Sequence, residues 1–178
     1  LAAVLTASAM TFTQLSDDSP SIQSYTPPPV PNDSRYTLGF QYGLGKIQMP
    51  TAWAVTTGTG TVTVAMVDSG ADLDHEDLLA NLVTGYNVPS PASPPDDDFL
   101  TPGGHGAMMA GVIGATTNNA IGIAAVDWDV NLMPVKVCNS SSVCTLADTA
   151  TGITWAADHG ADIITVFPAF DTDTGNVL

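Results

Sequence analysis

The sequence predicts an α/β fold built on a doubly wound, mainly parallel sheet. Short apolar segments alternate along the chain with segments of helical periodicity, the order that places parallel strands in one sheet with helices on its faces. The clearest strand lies at residues 61–70, TVTVAMVDSG, where glycines bound a largely β-branched apolar run typical of a buried parallel strand. The 178 residues are enough for one domain with a substantial core.

The chain before this strand is expected to be largely irregular. Residues 25–31, YTPPPVP, form a proline-rich run that indicates an extended linker and a domain boundary. Residues 32–48 are rich in turns and glycine. A short helix is predicted over residues 50–55, because Pro50 suits a first helical turn and Gly58 ends the segment.

After this strand, residues 72–82 indicate a turn and a short helical piece, and residues 83–88 a second strand. Residues 89–102 are predicted to be a proline-rich loop containing three consecutive aspartates, Asp96, Asp97 and Asp98. A helix is predicted over residues 105–117, with small residues that suit close packing on the sheet. Its apolar face is expected to comprise Met109, Val112, Ile113 and Thr116.

The last part of the chain predicts one more helix between two strands. A strand is expected at residues 131–137 and another at residues 161–166. Between them, residues 145–159 form an amphipathic helix that Gly160 ends. Its predicted buried face comprises Leu146, Ala150, Ile153 and Ala157.

The charge balance is strongly acidic, with 18 Asp and Glu against 3 Lys and Arg, a formal net charge of −15. Nucleic acid and anionic membrane surfaces would be repelled, so neither is an expected partner. An acidic surface suits a secreted protein, a cation-binding protein or a salty habitat, and it also confers solubility. No apolar run has the length of a membrane-spanning helix.

The two cysteines, Cys138 and Cys144, lie close together in the sequence. An oxidised pair would close a small loop and would fit an extracellular setting. Two free thiols are the alternative, because a disulfide needs suitable loop geometry. The spacing matches no zinc motif, so metal binding is the weaker interpretation.

Two polar residues stand where an α/β sheet places its chemistry. Asp68 follows the central strand, at the end where functional groups gather, although it could simply cap a turn. His105 begins a helix after two glycines, where the helix dipole favours a neutral imidazole, although it could merely start the helix. A carboxylate that orients a histidine is the arrangement that activates a serine for attack on an amide.

Two ordered segments contain Asp68 and His105: residues 64–78, VAMVDSGADLDHEDL, and residues 104–114, GHGAMMAGVIG. The first resembles the aspartate motif, and the second the histidine motif, of the subtilisin-like serine proteases, particularly the thermitase-like members. Further similar segments are PND (31–33), QYGLGKIQMPTAW (41–53), TNNAIGIAAV (117–126), LMPVKV (132–137) and ITWAADHGADII (153–164). The order of aspartate before histidine also agrees with subtilisins.

The resemblance implies a serine endopeptidase in which Asp68 orients the base and His105 is the general base. The nucleophile of the family lies in a downstream G-T-S-M-A motif, and its oxyanion-hole asparagine also comes later. Residues 31–178 are therefore expected to be the N-terminal part of the catalytic domain, with an incomplete fold that is inactive alone. Residues 1–30 are expected to be a propeptide remnant and linker.

The resemblance also implies two walls of a groove for an extended polypeptide substrate. One wall comprises Ser142, Val143 and Cys144, and the other comprises Phe167, Pro168 and Ala169. The second wall departs from the S-L-G of the family, and Pro168 lacks a backbone donor. Ala107 and Met108 also replace a threonine and a histidine of the histidine motif.

Calcium is the cofactor that the resemblance implies. The side chains of Asp33, Asp77 and Asn119 match its ligand positions, and three surface polar residues are the plainer alternative. The carbonyl oxygens of Thr117, Ile121 and Ile123 would complete the cage. The aspartates at 96–98 could bind a second ion, but a solvated acidic loop is the expectation.

The sequence thus predicts a secreted, monomeric, calcium-stabilised protease whose partners are polypeptide substrates and its own propeptide. The alternative is a catalytically inactive relative that binds peptides or serves a structural role, which Met108 and the 167–169 segment favour. A nucleotide-binding domain is a distant third, because Gly58 and Gly60 precede the strand and cannot cradle a phosphate after it.

Overall fold

The computed structural model describes residues 27–98, 104–141 and 143–168. Five helices and four strands lie within these ranges. The helices are α1 (Ser34–Thr37), α2 (Tyr42–Lys46), α3 (Met49–Trp53), α4 (His105–Gly114) and α5 (Leu146–Asp158). The strands are β1 (Gly58–Asp68), β2 (Tyr86–Asn87), β3 (Asp129–Lys136) and β4 (Ile163–Val166).

The four strands form one parallel sheet in the order β2-β3-β1-β4. The long central strand β1 pairs with β3 on one side and β4 on the other, with Val67 opposite Val135 and Val166. The register continues to Asp68, which lies opposite Lys136 at the carboxyl end. The predicted α/β fold with a mainly parallel sheet is therefore confirmed.

Helices cover both faces of this sheet, as the alternation of side chains along β1 requires. Val64 and Met66 pack with Ala110 of α4 on one face. Ala65 and Val67 pack with Ala156 of α5 on the other. Each core cluster is thus built on one side of β1, and the sheet is doubly wound.

The predicted buried faces of α4 and α5 are wrong in part. Val112 of α4 is 51% exposed and Leu146 of α5 is 60% exposed. Small residues face the sheet instead: Gly106, Ala107, Ala110, Gly111 and Gly114 in α4, and Thr149, Gly152 and Ala156 in α5. The reason is that the helices approach the sheet closely. In α4, for example, an added Cβ at Gly114 would lie 2.4 Å from Val130 Cγ1.

Three local predictions also differ from the structure. The turn-rich region at 32–48 contains the short helices α1 and α2, and residues 72–82 form turns instead of a helical piece. The strand predicted at 83–88 is reduced to the two residues of β2. In the described ranges, no helix has the length and apolarity needed to cross a bilayer.

Some predicted features lie outside the described residues. They are most of the propeptide remnant, since description begins at Pro27, together with Ser142 and Ala169 of the proposed substrate groove. Cys138 and Cys144 are described and form a disulfide, which closes the loop that follows β3. The two cysteines also form an antiparallel bridge through their backbones.

Candidate active site

Asp68 ends the central strand and is held by its own turn. The last five residues of the strand, 64–68, are buried, and Asp68 itself is only 3% exposed. The backbone N–H of Ser69 donates a 2.6 Å hydrogen bond to Asp68 Oδ1. This bond limits the rotation of the carboxylate.

His105 is the first residue of α4, and its ring meets that carboxylate. The Nδ1 atom lies 2.8 Å from Asp68 Oδ2 and 3.0 Å from Oδ1. Because an ionised carboxylate only accepts hydrogen bonds, Nδ1 carries the proton of a neutral ring and Nε2 is left unprotonated. The His105 side chain is 45% exposed whereas that of Asp68 is 4% exposed, so the ring can meet a solvent-side group.

Glycines allow the start of α4 to reach the turn after Asp68. A Cβ at Gly106 would lie 2.0 Å from the carbonyl oxygen of Gly70, which itself has φ of +119°. The Gly106 N–H donates to Ser69 Oγ at 2.9 Å. The spacing of glycines in the sequence is therefore what lets residues 37 positions apart form a partly buried pair.

This geometry can support general base catalysis. A basic Nε2 that is held in orientation through Nδ1 can accept a proton from a hydroxyl nucleophile, and the carboxylate stabilises the imidazolium that forms. The ring of Phe167 lies edge-on to His105, with 5.7 Å between ring centroids. The Phe167 N–H donates to Val67 O, which extends the β1–β4 pairing toward the site.

The family model described as the subtilase family, Peptidase_S8, matches residues 59–166, a range that includes both members of this pair. The chain belongs to the subtilase family. The match extends from β1 to the end of β4 and so covers the whole sheet.

Known subtilases align with most of this chain. Thermitase from Thermoactinomyces vulgaris is 38% identical over 136 residues, which cover 76% of this chain and 47% of thermitase. The thermophilic serine proteinase from Bacillus sp. (strain AK1) is 35% identical, with 81% of this chain and 35% of that protein covered. The chain therefore spans less than half the length of these two relatives. Two other related proteases are named as extracellular, and one is named as intracellular.

The fold also matches solved structures. A protease from Pseudoalteromonas arctica PAMC 21717 superimposes with a TM-score of 0.61 and 30% identity. The aligned region covers 76% of this chain and 46% of that chain. The subtilase fold is thus present here in the part that carries Asp68 and His105.

The residues predicted to line a peptide groove are described in part. Val143 and Cys144 lie in the disulfide-closed loop, where Asn139 Oδ1 accepts from the Val143 N–H at 3.1 Å. Phe167 and Pro168 follow β4, and Phe167 contacts His105. Met108, on the outer face of α4, is 53% exposed.

The residues predicted to bind calcium meet at the loop of residues 117–123. The Asp33 carboxylate accepts from the N–H groups of Asn118 and Asn119. The Asp77 carboxylate accepts from Asn119 Nδ2 at 2.8 Å and from the Ile123 N–H at 3.0 Å. Both aspartates are buried, at 0% and 3% exposure, so the loop brings two desolvated carboxylates to one place.

Two other residues predicted to bind calcium form hydrogen bonds through atoms other than their proposed ligand carbonyl oxygens. The Thr117 hydroxyl donates to the Ala115 carbonyl and accepts from the Ala125 N–H, so it holds the base of the loop. The Ile121 N–H donates to Asn119 Oδ1 at 3.0 Å. Asn119 Oδ1 therefore retains one lone pair that a cation could use.

The sequence analysis placed Thr116 on the apolar face of a helix and not beside the predicted calcium ligands, whereas α4 ends before it, at Gly114. The Thr116 N–H donates to the Asp77 carbonyl at 2.7 Å, and its buried hydroxyl oxygen has no hydrogen-bond partner among the described residues. A polar β-branched residue beside a predicted ligand loop was the signal that could have found it. Across the described ranges, no group of three or more His, Cys, Asp or Glu side chains is arranged to hold a metal ion.

The acidic loop is exposed at Asp96 and Asp98, as expected, but Asp97 and Asp98 also have specific partners in the protein. Asp97 Oδ2 accepts from the Ala107 N–H at 2.9 Å, in the first turn of α4. Asp98 forms an ion pair with Lys136, whose side chain is buried. These contacts join residues far apart in the chain, so no local pattern could have revealed them.

The pKa of one aspartate near the site, Asp72, is raised. Burial raises the pKa of Asp72 above its usual value, and a side-chain hydrogen bond to Asp74 raises it further. Asp72 lies in the turns that follow β1, between the Asp68 turn and the buried Asp77.

Proposed function

We propose that this chain is the N-terminal part of the catalytic domain of a serine endopeptidase. The observation that carries the proposal is the hydrogen-bonded pair of Asp68 and His105, with Nδ1 bound to the carboxylate and Nε2 free to act as a base. Membership of the subtilase family supports the same chemistry.

In the proposed reaction, a serine contributed by chain downstream of residue 178 attacks the carbonyl carbon of a peptide bond. His105 Nε2 accepts the serine proton and later donates it to the leaving amine. Asp68 keeps Nδ1 protonated and stabilises the imidazolium. The residues described here would thus supply the base and its orienting carboxylate, and would be inactive without the nucleophile.

Residues 31–178 are proposed to belong to the catalytic domain and residues 1–30 to be a propeptide remnant with its linker. The support is the proline-rich run that separates the two segments. The substrate would be an extended polypeptide lying between the 142–144 and 167–169 segments, and the enzyme a monomer. Secretion is proposed because Cys138 and Cys144 form a disulfide and the charge is strongly acidic.

A structural calcium ion is proposed at the 117–123 loop. Asp33 and Asp77 are buried there, and within the described residues neither forms an ion pair with Lys or Arg. Buried carboxylates are costly without a compensating positive charge, and oxygen ligands suit calcium. Asn118 and Ala120 adopt φ of 66° and 70°, a strained arrangement that is typical of ligand-binding loops.

The residues that would hold the ion include two side-chain carboxylates and one side-chain amide. They are Asp33, Asp77 and Asn119, with the carbonyl oxygens of Thr117, Ile121 and Ile123 as the remaining proposed ligands. When bound, the ion would neutralise the carboxylates and rigidify the loop.

The second candidate function is a catalytically inactive, peptide-binding subtilase. It is favoured by Pro168, which offers no N–H to a substrate strand, and by Phe167, which packs against the His105 ring. A bulky aromatic ring at that position could restrict access to Nε2.

A fluorophosphonate probe on the full-length protein separates the two candidates. The expected result is covalent labelling of the wild type and loss of labelling in His105→Ala, because the serine then lacks its base. The control is His159→Ala, an exposed histidine beyond the end of α5, which should label like the wild type. A folded wild type that takes up no label would favour the inactive relative.

A further inference from the structure

We propose that residues 95–98, here called the acidic strap, set the geometry of the Asp68–His105 pair together with Lys136 of β3. Asp97 and Lys136 are the positioning residues. The inference deepens the proposed function and rests on it for its catalytic consequence. It begins from the fact that Asp68 and His105 lie on separate elements, β1 and α4. The strap contacts the turn after β1, the start of α4 and the end of β3.

The first attachment joins the strap to the turn after Asp68. The Ala71 N–H donates to the Pro95 carbonyl at 3.0 Å, and the Asp97 N–H donates to the Ala71 carbonyl at 2.9 Å. The approach is tight, because a Cβ at Gly70 would lie 2.5 Å from Pro95 O. Movement of the strap would therefore move the turn that holds the Asp68 carboxylate.

The second attachment joins the strap to the start of α4. Asp97 Oδ2 accepts from the Ala107 N–H at 2.9 Å, two residues after His105. The N-cap residue Gly104 has no side chain to cap the helix, and an added Cβ there would lie 2.0 Å from Asp97 Oδ2. Asp97 thus supplies from a distant segment the acceptor and the negative charge that a helix N-terminus favours.

The third attachment joins the strap to Lys136 of β3, which also binds the backbone of Ser69. Lys136 Nζ donates to Asp98 Oδ1 at 2.5 Å and to the Ser69 carbonyl at 2.6 Å. Lys136 lies opposite Asp68 in the parallel register, and its side chain is 4% exposed. Because a buried cation needs its partners, Lys136 fixes Asp98 and the backbone of Ser69 together.

Through Lys136, the third attachment reaches Ser69, which also contacts Asp68 and the helix start beside His105. Its N–H donates to Asp68 Oδ1, its Oγ accepts from the Gly106 N–H, and its carbonyl accepts from Lys136. Without the strap contacts, the turn after Asp68 and the start of α4 would be held together by fewer hydrogen bonds. A displacement of about 1 Å at a catalytic group can cost about 100-fold in rate.

The test uses the full-length protein and three variants, Asp97→Ala, Asp97→Asn and Lys136→Met. Asparagine keeps an oxygen acceptor for the Ala107 N–H, whereas alanine removes it. The matched control is Asp148→Ala, because Asp148 lies in the first turn of α5 and bonds the Thr145 N-cap, away from the pair. The readouts are kcat and KM for a peptide substrate, and the NMR signal of the His105 Nδ1 proton.

We expect kcat to fall about tenfold or more in Asp97→Ala and Lys136→Met, with KM changed less than about twofold. The Nδ1 proton signal should broaden or shift in both variants, because the bond to Asp68 is no longer held in one geometry. Asp97→Asn should recover most of kcat, and Asp148→Ala should match the wild type. A merely structural role would lower the unfolding midpoint and leave kcat of the folded variants unchanged.

Unchanged kcat and an unchanged Nδ1 signal in folded Asp97→Ala and Lys136→Met would overturn the proposal. If Asp97→Ala does not fold, Lys136→Met decides, since methionine is close to lysine in length and suits a buried position. If the wild type neither hydrolyses peptide nor takes up label, the proposed function fails. The proposed role of the strap is then tested by the Nδ1 proton signal alone, because that signal reports on the Asp68–His105 bond whether or not a nucleophilic serine is present.

Discussion

At the scale of single residues, the carboxylate of Asp68 decides what His105 can do. Both of its oxygens lie within hydrogen-bond distance of Nδ1, and its burial excludes the water that would compete for that proton. The imidazole is therefore held in one tautomer and one orientation. Its partly exposed face carries the basic nitrogen.

Asp68→Asn tests this orientation directly in the full-length protein. The amide can donate a proton to Nδ1, which places the ring proton on Nε2 and removes the base. We expect kcat to fall by about 10⁴-fold with KM changed little. Steady-state hydrolysis of a peptide substrate is the measurement.

The control for that change is Asp158→Asn, at the exposed end of α5. It carries the same substitution and should keep the wild-type kcat. A loss of less than about tenfold in Asp68→Asn would show that the carboxylate does not set the tautomer.

At the scale of elements, the close packing of α4 on the sheet positions His105. Glycine and alanine face β1 and β3, so the helix axis lies nearer the strands than larger side chains would allow. An added Cβ at Gly114 would meet Val130 Cγ1 at 2.4 Å and Leu132 Cδ2 at 3.0 Å. Both of those residues are buried, so neither can easily move aside.

Gly114→Ala should therefore destabilise the full-length protein although alanine favours helices. Overpacking of this kind costs about 1–3 kcal/mol, which exceeds the gain in helix propensity of about 1 kcal/mol. Urea unfolding followed by circular dichroism measures the change.

Gly43→Ala in α2 is the matched control. No heavy atom lies within 4 Å of a Cβ added at Gly43, so this variant should be as stable as the wild type or slightly more stable. Equal stability of Gly114→Ala and Gly43→Ala would contradict the close contact between α4 and β3.

At the scale of the whole molecule, a large excess of negative charge coexists with the buried carboxylates of Asp33 and Asp77. The formal net charge of −15 produces self-repulsion that a bound cation would reduce. Asp33 and Asp77 attach the segment before α1 and the turns after β1 to one loop. A cation there would link three parts of the chain that are distant in sequence.

Calcium should raise the thermal unfolding midpoint of the full-length protein by several degrees. At a calcium concentration of about 100 times Kd the gain is about 2.7 kcal/mol. Asp77→Asn should lose most of this response, because one anionic ligand is removed. Differential scanning calorimetry with calcium and with a chelator measures it.

Magnesium at the same ionic strength controls for general charge screening. Asp158→Asn should respond to calcium like the wild type. Equal stabilisation by magnesium and calcium, or a full calcium response in Asp77→Asn, would contradict a specific site at residues 117–123.

The resemblance of two short motifs to those of the subtilisin-like proteases implied the pairing of Asp68 with His105. The sequence by itself also determined the parallel α/β fold, the strands β1, β3 and β4, and the helices α4 and α5. These features depend on local patterns, namely apolar runs of strand length, helical spacing and short motifs at the ends of elements. Each pattern is contained in a few neighbouring residues, so it can be read without knowing the rest of the fold.

Only the tertiary structure decided which faces of α4 and α5 are buried and what the acidic residues contact. Val112 and Leu146 are exposed because the helices approach the sheet too closely for large side chains. Asp97 caps a helix that begins beyond the strap, and Asp98 meets a lysine on another strand. The physical reason is that packing distance and ion pairing depend on residues that are brought together only when the sheet forms.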